Sequence, residues 1–200
     1  MKANLFVVGF CVLACVWGYS QDQESNRPEA VLCAPDASPL EQYAAREVRR
    51  YFFACTGRLL PMTTQAENSS GGGIVVMSKD RLAWAQAFMA DSMDMSGMES
   101  GAYLLRTAAG KSGNRRLLVL AGVGETETLY AAYRFAELIS VRFYLHGDVV
   151  PDRQQPEFVL PIVEEYHSPL FNLRGIQPFH DFPEGPDWWS LEHYRALITQ

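Results

Sequence analysis

The sequence predicts an α/β fold, with a two-layer α/β sandwich domain over residues 28–152 and the start of a second domain after it. Two strongly patterned helices carry this prediction, one beginning at Ser38 and one after Gly124. Short apolar runs of strand length lie around these helices, as expected for a sheet covered by helices. The 200 residues, 48% of them hydrophobic, suffice for one domain of ordinary size and part of another.

Residues 1–20 have the features of a signal peptide. Lys2 supplies a positive start, and residues 5–17 form an apolar run too short to span about 30 Å of hydrocarbon. Gly18-Tyr19-Ser20 fits a small-x-small cleavage site. We therefore expect a secreted or periplasmic protein without a membrane span, whose mature chain begins with a polar linker over residues 21–27.

The four cysteines fall into two pairs. Cys11 and Cys15 lie in the predicted signal, and Val12-Leu13-Ala14-Cys15 fits a lipobox, so a lipoprotein anchored through Cys15 is the alternative to soluble export. Cys33 and Cys55 lie at opposite ends of the first helix, about 25 Å long. Because a disulfide needs Cα atoms within about 7 Å, we expect both of these cysteines to be free and buried.

The first strand and helix are the best-marked elements. Residues 30–33 form a short apolar run that predicts a strand. Ser38 is the predicted N-cap, Pro39 fits the first helical position, and Glu41 completes a capping box. Gly57 is the predicted stop. Apolar residues follow at helical spacing: Leu40, Ala44, Val48, Tyr51, Phe52 and Cys55.

The middle of the chain predicts strands with one weak helix. The strands are expected at residues 59–64, 74–77, 103–105 and 117–120, the last two joined as a hairpin. Residues 81–89 are weakly helical. Residues 91–100, rich in Met, Asp and Ser, are expected to be a flexible loop rather than a soft-metal site, because no Cys or His lies near Met93, Met95 and Met98.

Gly122-Val123-Gly124 joins a strand to the second helix and suggests a dinucleotide-binding turn. The third glycine of that fingerprint would fall at Glu127, and Glu125 adds further negative charge where a pyrophosphate would sit. Both carboxylates suit the helix dipole instead. We therefore interpret the turn as structural. Residues 141–145 follow the helix as a predicted strand.

The last part of the chain begins a new pattern. We expect a linker over residues 153–170 with a bridging strand at 158–160, then a strand at 173–179 and a helix from residue 188. Residues 171–200 would thus be the first strand and helix of a larger domain.

Composition excludes several functions. The net charge is −6 with no stripe of Lys or Arg, so nucleic acid is not an expected partner. No pair of histidines has zinc-ligand spacing, and no Gly-x-Ser-x-Gly motif occurs. We expect no metal and no cofactor.

The candidate binding residues lie in residues 171–189. Arg174, His180, Asp181, Trp188 and Trp189 combine aromatic planes with hydrogen-bonding groups, which is the chemistry that a carbohydrate site needs. Packing of the tryptophans at a helix N-terminus is the alternative. For Arg174 the alternative is a structural ion pair.

A family likeness runs through these segments. Ser38-Pro39-Leu40-Glu41, with Thr56-Gly57 at the other end, resembles the first helix of the small domain that precedes the barrel in family 20 β-hexosaminidases and family 67 α-glucuronidases. Residues 129–138 and Val141-Arg142-Phe143-Tyr144 look like the end of that domain. Phe171-Asn172-Leu173-Arg174-Gly175 resembles the first strand of the catalytic (β/α)8 barrel. The likeness covers nearly all of the mature chain.

The resemblance implies the truncated start of a TIM (β/α)8 barrel and an exported glycoside hydrolase that acts on oligo- or polysaccharides. In hexosaminidases an Arg-Gly pair on the first strand contacts the terminal sugar's hydroxyls, which implies that role for Arg174. Residues 177–181 depart from the hexosaminidase pattern, so the sugar stays open.

The general acid and its partner carboxylate would lie on later strands of the barrel. We therefore expect no catalytic residue in this chain, and we expect the remainder of its own barrel as a partner. The alternative is a non-catalytic carbohydrate-binding or surface protein with the same layout.

Overall fold

The computed structural model describes residues 26–65, 71–111, 115–144, 147–171, 173–175 and 188–198. Of residues 196–198 it describes the backbone only. The predicted signal peptide, Cys11 and Cys15 lie outside the described residues, so these predictions stay untested. No helix in the described part of the chain combines the length and apolarity needed to cross a bilayer.

The elements follow the predicted alternation of strands and helices. In chain order they are β1 (Pro28–Cys33), α1 (Pro39–Thr56), β2 (Met62–Thr63), β3 (Gly72–Ser78), a 3-10 turn (Lys79–Arg81), α2 (Leu82–Gln86), β4 (Tyr103–Ala109), β5 (Arg116–Gly122), α3 (Glu125–Leu138), β6 (Arg142–Tyr144), β7 (Gly147–Val149), β8 (Glu164–His167) and α4 (Leu191–Ile198). Six strands form one sheet in the order β2-β1-β3-β5-β4-β8, and β6 pairs with β7 separately. Strands β1, β2, β3 and β5 are parallel, whereas β4 is antiparallel to both of its neighbours.

Helix α1 confirms its sequence signals. The Glu41 amide donates to Ser38 Oγ at 3.2 Å, and the Ser38 amide donates to Glu41 Oε2 at 2.7 Å, which completes the capping box. Gly57 ends the helix in the left-handed region with φ 73°. Its amide donates to the carbonyl of Phe53 at 2.8 Å.

The two long helices cover one face of the sheet. Phe52 of α1 and Phe135 of α3 are fully buried against strand residues that alternate toward them, such as Val31 and Ile74. Cys33 and Cys55 belong to the same core as free thiols, and burial raises the pKa of both. The predicted two-layer arrangement is therefore present.

The opposite face is covered by α2 and the segment after it. Met93 and Met95 are buried in a second core with Val75 and Met77, and Met98 packs against it. Residues 91–100 form an irregular loop, as predicted, but the burial of Met93 and Met95 was not predicted. The methionines cover the sheet face that the long helices leave open, and Met adapts well to irregular gaps.

Part of the predicted linker belongs to the sheet. Strand β8 pairs with β4, with Tyr103 opposite His167 and Arg106 opposite Glu164. The predicted strand at residues 158–160 is wrong, because that segment is irregular. Phe158 instead packs edge-to-face on Phe52 with ring centroids 5.7 Å apart.

The C-terminal segment, which the sequence predicts to begin a second domain, is described in part. Helix α4 confirms the predicted helix near the C-terminus. Residues 173–175 are described without strand structure, and the rest of the strand predicted at 173–179 lies outside the described residues. The division of the chain at residues 152 and 171 stays a prediction.

Candidate functional site

One edge of the sheet carries Arg174 together with Tyr103, Tyr130 and His167. The carboxyl ends of β1, β3, β5 and β8 meet there with the start of β4 and the amino-terminal turns of α1 and α3. Open α/β sheets bind their ligands at the carboxyl ends of their strands, so a ligand site is expected at this edge.

Arg174 lies at this edge against helix α3. Its guanidinium carbon is 5.8 Å from the centroid of the Tyr130 ring, a cation–π contact. Tyr103 meets Tyr130 edge-to-face at 6.4 Å, and His167 stacks on Tyr103 at 4.7 Å with 14° between the rings. Sequence reasoning identified Arg174 as a candidate but missed all three of these rings.

The segment that carries Arg174 is fastened to the start of β4. Ser168 Oγ donates to Glu99 Oε2 at 2.6 Å, and the Glu99 amide donates to the Tyr166 hydroxyl at 3.3 Å. Gly101 has φ 83°, and a Cβ there would lie 2.8 Å from Cγ of Pro169. A glycine at this position therefore lets the segment approach the sheet closely.

An ion-pair network anchors β8 to α3 beside these rings. Arg134 donates to both carboxylate oxygens of Glu165, at 2.8 and 3.1 Å, and to Glu137 Oε2 at 2.9 Å. His167 Nε2 lies 3.0 Å from Glu165 Oε2. Hydrogen bonds from Arg134 lower the pKa of Glu165 to about 2, with a further contribution from His167 and against the opposing effect of burial.

This network predicts a loss of stability in acid. The folded pKa of Glu165 lies below its usual 4.5, so its contribution is complete above pH 4.5 and is lost as the pH falls toward 2. The side chains of Arg134 and Glu165 are 29% and 24% exposed, so solvent screens the pair. We therefore expect the free energy of unfolding to fall by about 2 kcal/mol, less than the pKa shift alone would give. Urea unfolding of Glu165→Gln between pH 2 and 7 should show a flatter pH dependence than the wild type. Glu164→Gln, an exposed neighbour on β8, is the control; an equal flattening in both variants would contradict the prediction.

The remaining candidate residues are only partly described. Trp188 is 68% exposed at the start of the C-terminal helical region. Trp189 is half-buried, and its ring meets that of Tyr194 edge-to-face at 5.6 Å. His180 and Asp181 lie outside the described residues. The described contacts thus place Arg174 with Tyr130, and Trp189 with its own helix.

The Gly122-Gly124 turn is structural, as predicted. Glu127 Oε2 accepts a hydrogen bond from the Gly124 amide at 3.0 Å, so the protein's own carboxylate caps the amino end of α3. Thr128 Oγ1 donates to the Met77 carbonyl at 3.0 Å and so ties the helix to β3. A Cβ at Gly122 would lie 2.2 Å from the Thr128 amide nitrogen, so this glycine permits close packing of helix and strand.

A second carboxylate fills the crevice between β1 and β3. Glu41 is 2% exposed, and its Oε1 accepts a hydrogen bond from the Ser78 amide at 2.8 Å. Burial acts to raise the pKa of Glu41, but hydrogen bonds from Ser78 and Ser38 and the charge of Arg81 outweigh it, and the pKa is lowered. The strand order reverses between β1 and β3, and open α/β folds bind ligands, phosphates among them, in the crevice at such a point. In this protein the side chain of Glu41 occupies that crevice.

Two open cavities lie away from Arg174. One of about 470 Å³ lies at the carboxyl ends of β1 and β2, lined by uncharged residues that include Cys33, Gln42 and Thr63. The other, of about 370 Å³, lies near the start of β5, with Arg116 in its lining. Among the described residues, no group of three or more Cys, His, Asp or Glu could hold a metal ion.

Comparison with known proteins finds similarity at the level of the fold. No family model and no curated protein sequence matches the chain. Among solved structures, it is similar to a family GH115 4-O-methyl-α-glucuronidase with specificity for decorated arabinogalactans, with a TM-score of 0.54 and 18% sequence identity. The match covers 73% of this chain, which spans only 18% of the length of that structure. At this identity the likeness shows the fold alone, and it does not show either of the two families named from the sequence.

Proposed function

We propose that this chain is the amino-terminal part of an exported glycoside hydrolase that acts on oligo- or polysaccharides. The observation that carries the proposal is the fold shared with a glucuronidase over 73% of the chain. In this proposal residues 28–152 form a non-catalytic α/β domain, and residues 171–200 begin a (β/α)8 barrel.

Arg174 is the residue that this proposal assigns to the sugar. Its side chain is exposed, and a guanidinium presents a planar fork of N–H donors that suits pairs of hydroxyls or a carboxylate. Among the described residues, no carboxylate lies within ion-pair distance of Arg174. His180, Asp181, Trp188 and Trp189 stay proposed contacts of the same substrate.

Hydrolysis needs a pair of carboxyl groups flanking the glycosidic bond, and barrel enzymes carry them at strand ends. The proposal places that pair after residue 200. We therefore expect the 200-residue chain to hydrolyse no aryl glycoside, and we expect the protein expressed from its whole reading frame to be active.

The test compares these two proteins on the same panel of aryl glycosides, with α-glucuronides and β-N-acetylhexosaminides first. Turnover by the longer protein alone supports the proposal. Turnover by the purified 200-residue chain would contradict the placement of the acid pair. A longer protein that binds oligosaccharides in titration calorimetry but hydrolyses none would favour the non-catalytic alternative.

Export has a separate test within this proposal. N-terminal sequencing of secreted or periplasmic protein should begin near Gln21, because Gly18-Tyr19-Ser20 precedes it. A lipid-modified Cys15 would instead establish the anchored form, and an intact Met1 in cytoplasmic protein would contradict export.

A further inference from the structure

We propose that Tyr130, on helix α3 of the α/β domain, is a positioning residue for Arg174. The inference rests on the proposed function, because it concerns the arginine that the proposal assigns to the sugar. In this proposal the α/β domain contacts no substrate itself. It holds Tyr130, which orients the arginine that binds the sugar.

The contact uses the charge of Arg174 and leaves its donors available. The guanidinium lies 5.8 Å from the Tyr130 centroid, within the range of a cation–π interaction. Such a contact consumes none of the five N–H donors, whereas a bidentate carboxylate would occupy two of them. Among the described residues, none accepts a hydrogen bond from Arg174, and a cation–π contact is compatible with donors that bind sugar hydroxyls.

Tyr130 is itself held in place by a series of contacts. Tyr103 meets its ring edge-to-face, and His167 stacks on Tyr103. His167 lies 3.0 Å from Glu165, whose carboxylate is fixed by Arg134 of the same helix as Tyr130. The ring that supports Arg174 is therefore anchored through both α3 and the sheet, which limits the orientations that it offers to the guanidinium.

The chain supplies a matched control for the effect of losing this ring. Tyr43 on α1 has the same exposure as Tyr130, 39%, and Arg46 lies 5.9 Å from its centroid. Both tyrosines thus make a cation–π contact at a similar distance, but of the two it is Tyr130 that contacts Arg174. A general effect of removing a surface tyrosine would appear in both variants.

The experiment is a double-mutant cycle on the protein expressed from its whole reading frame, assayed on its best aryl glycoside. Tyr130→Leu should raise KM by about 2- to 5-fold with little change in kcat, the size expected for an exposed cation–π contact. Tyr130→Phe should behave like the wild type, since it keeps the ring. Tyr43→Leu should also behave like the wild type. In an Arg174→Ala background, Tyr130→Leu should have no further effect, because its action passes through Arg174.

The inference would be overturned if Tyr130→Leu had the same effect with and without Arg174, or if Tyr130→Leu and Tyr43→Leu had equal effects. Either result would leave the proposed function intact. A wild-type protein with no hydrolysis would overturn the proposed function and the inference with it. The Arg174 Nε–Hε resonance reports the contact independently of activity. It should move in Tyr130→Leu and stay in Tyr43→Leu, and an unmoved resonance in Tyr130→Leu would also overturn the inference.

Discussion

Gly122→Ala is expected to lower the free energy of unfolding by about 3 kcal/mol, at the upper end of the usual cost of overpacking. The added Cβ would lie 2.2 Å from the amide nitrogen of Thr128 and 2.4 Å from the carbonyl carbon of Glu127. Both are backbone atoms of α3, so relief requires the helix to move away from β5. Its buried face, including Phe135, would then lose contact with the sheet.

The measurement for Gly122→Ala is urea or thermal unfolding of the chain, with a fall in Tm of roughly 6–12 °C. Gly97→Ala is the matched control, because a Cβ at Gly97 meets no atom within 4 Å. Its stability should stay within about 0.5 kcal/mol of the wild type, as for most surface changes. Wild-type stability in Gly122→Ala would show that α3 does not pack this closely on β5.

Glu41→Ala is expected to cost about 3 kcal/mol, because it removes two roles at once. The carboxylate completes the capping box of α1, and it also accepts the buried Ser78 amide at 2.8 Å. Without it, that amide loses its partner and Arg81 loses a carboxylate 3.8 Å away. Glu41→Gln should cost about half as much, because glutamine keeps the shape of the side chain. Its amide nitrogen is a donor, however, and would face the N–H group of either Ser38 or Ser78.

Glu127 is the control for the capping role of Glu41. It occupies the same third position of α3 and caps the Gly124 amide, but it is half exposed. Glu127→Ala should therefore cost about 1 kcal/mol, the usual value of a cap. Chemical denaturation of the three variants at pH 7 checks the order; equal losses for Glu41→Ala and Glu127→Ala would show that the Ser78 contact contributes nothing.

The pKa of Glu41 adds a pH dependence to this comparison. It is lowered in the folded protein, so the stability it contributes is present above its unfolded value and is lost as the pH falls through its folded value. The gap between the wild type and Glu41→Gln should narrow on acidification. A gap that does not change with pH would mean that Glu41 folds with its ordinary pKa.

The elements with local signals were predicted well. The cap at Ser38, the stop at Gly57 and the turn at Gly122-Gly124 all involve residues within a few positions of one another, and all three are confirmed. Only the second role of Glu41 escaped, because its partner Ser78 lies 37 residues away. A capping glutamate and a buried crevice-filling glutamate look alike in the sequence.

Strand β8 and the methionine segment were missed for a related reason. Glu164-Glu165-Tyr166-His167 has no apolar run, since an edge strand pairs on one side only and charged side chains there discourage further pairing. Met93 and Met95 appear in a polar, irregular stretch, which predicts a loop. They are buried because they cover the second face of the sheet, which the long helices leave open. The local sequence pattern does not show that this face needs cover.

The sequence by itself determined the α/β class, both ends of the first long helix, the start of the second, the free buried cysteines and Arg174 as a candidate binding residue. These conclusions follow from hydrophobic period, capping chemistry and helix length, which act over a few residues. Only the tertiary structure decided the strand order, the cover on the second face and the aromatic neighbours of Arg174. Tyr130 and Arg174 are 44 positions apart in the printed sequence, and their contact exists because β8 pairs with β4 and returns the chain to the edge where α3 begins.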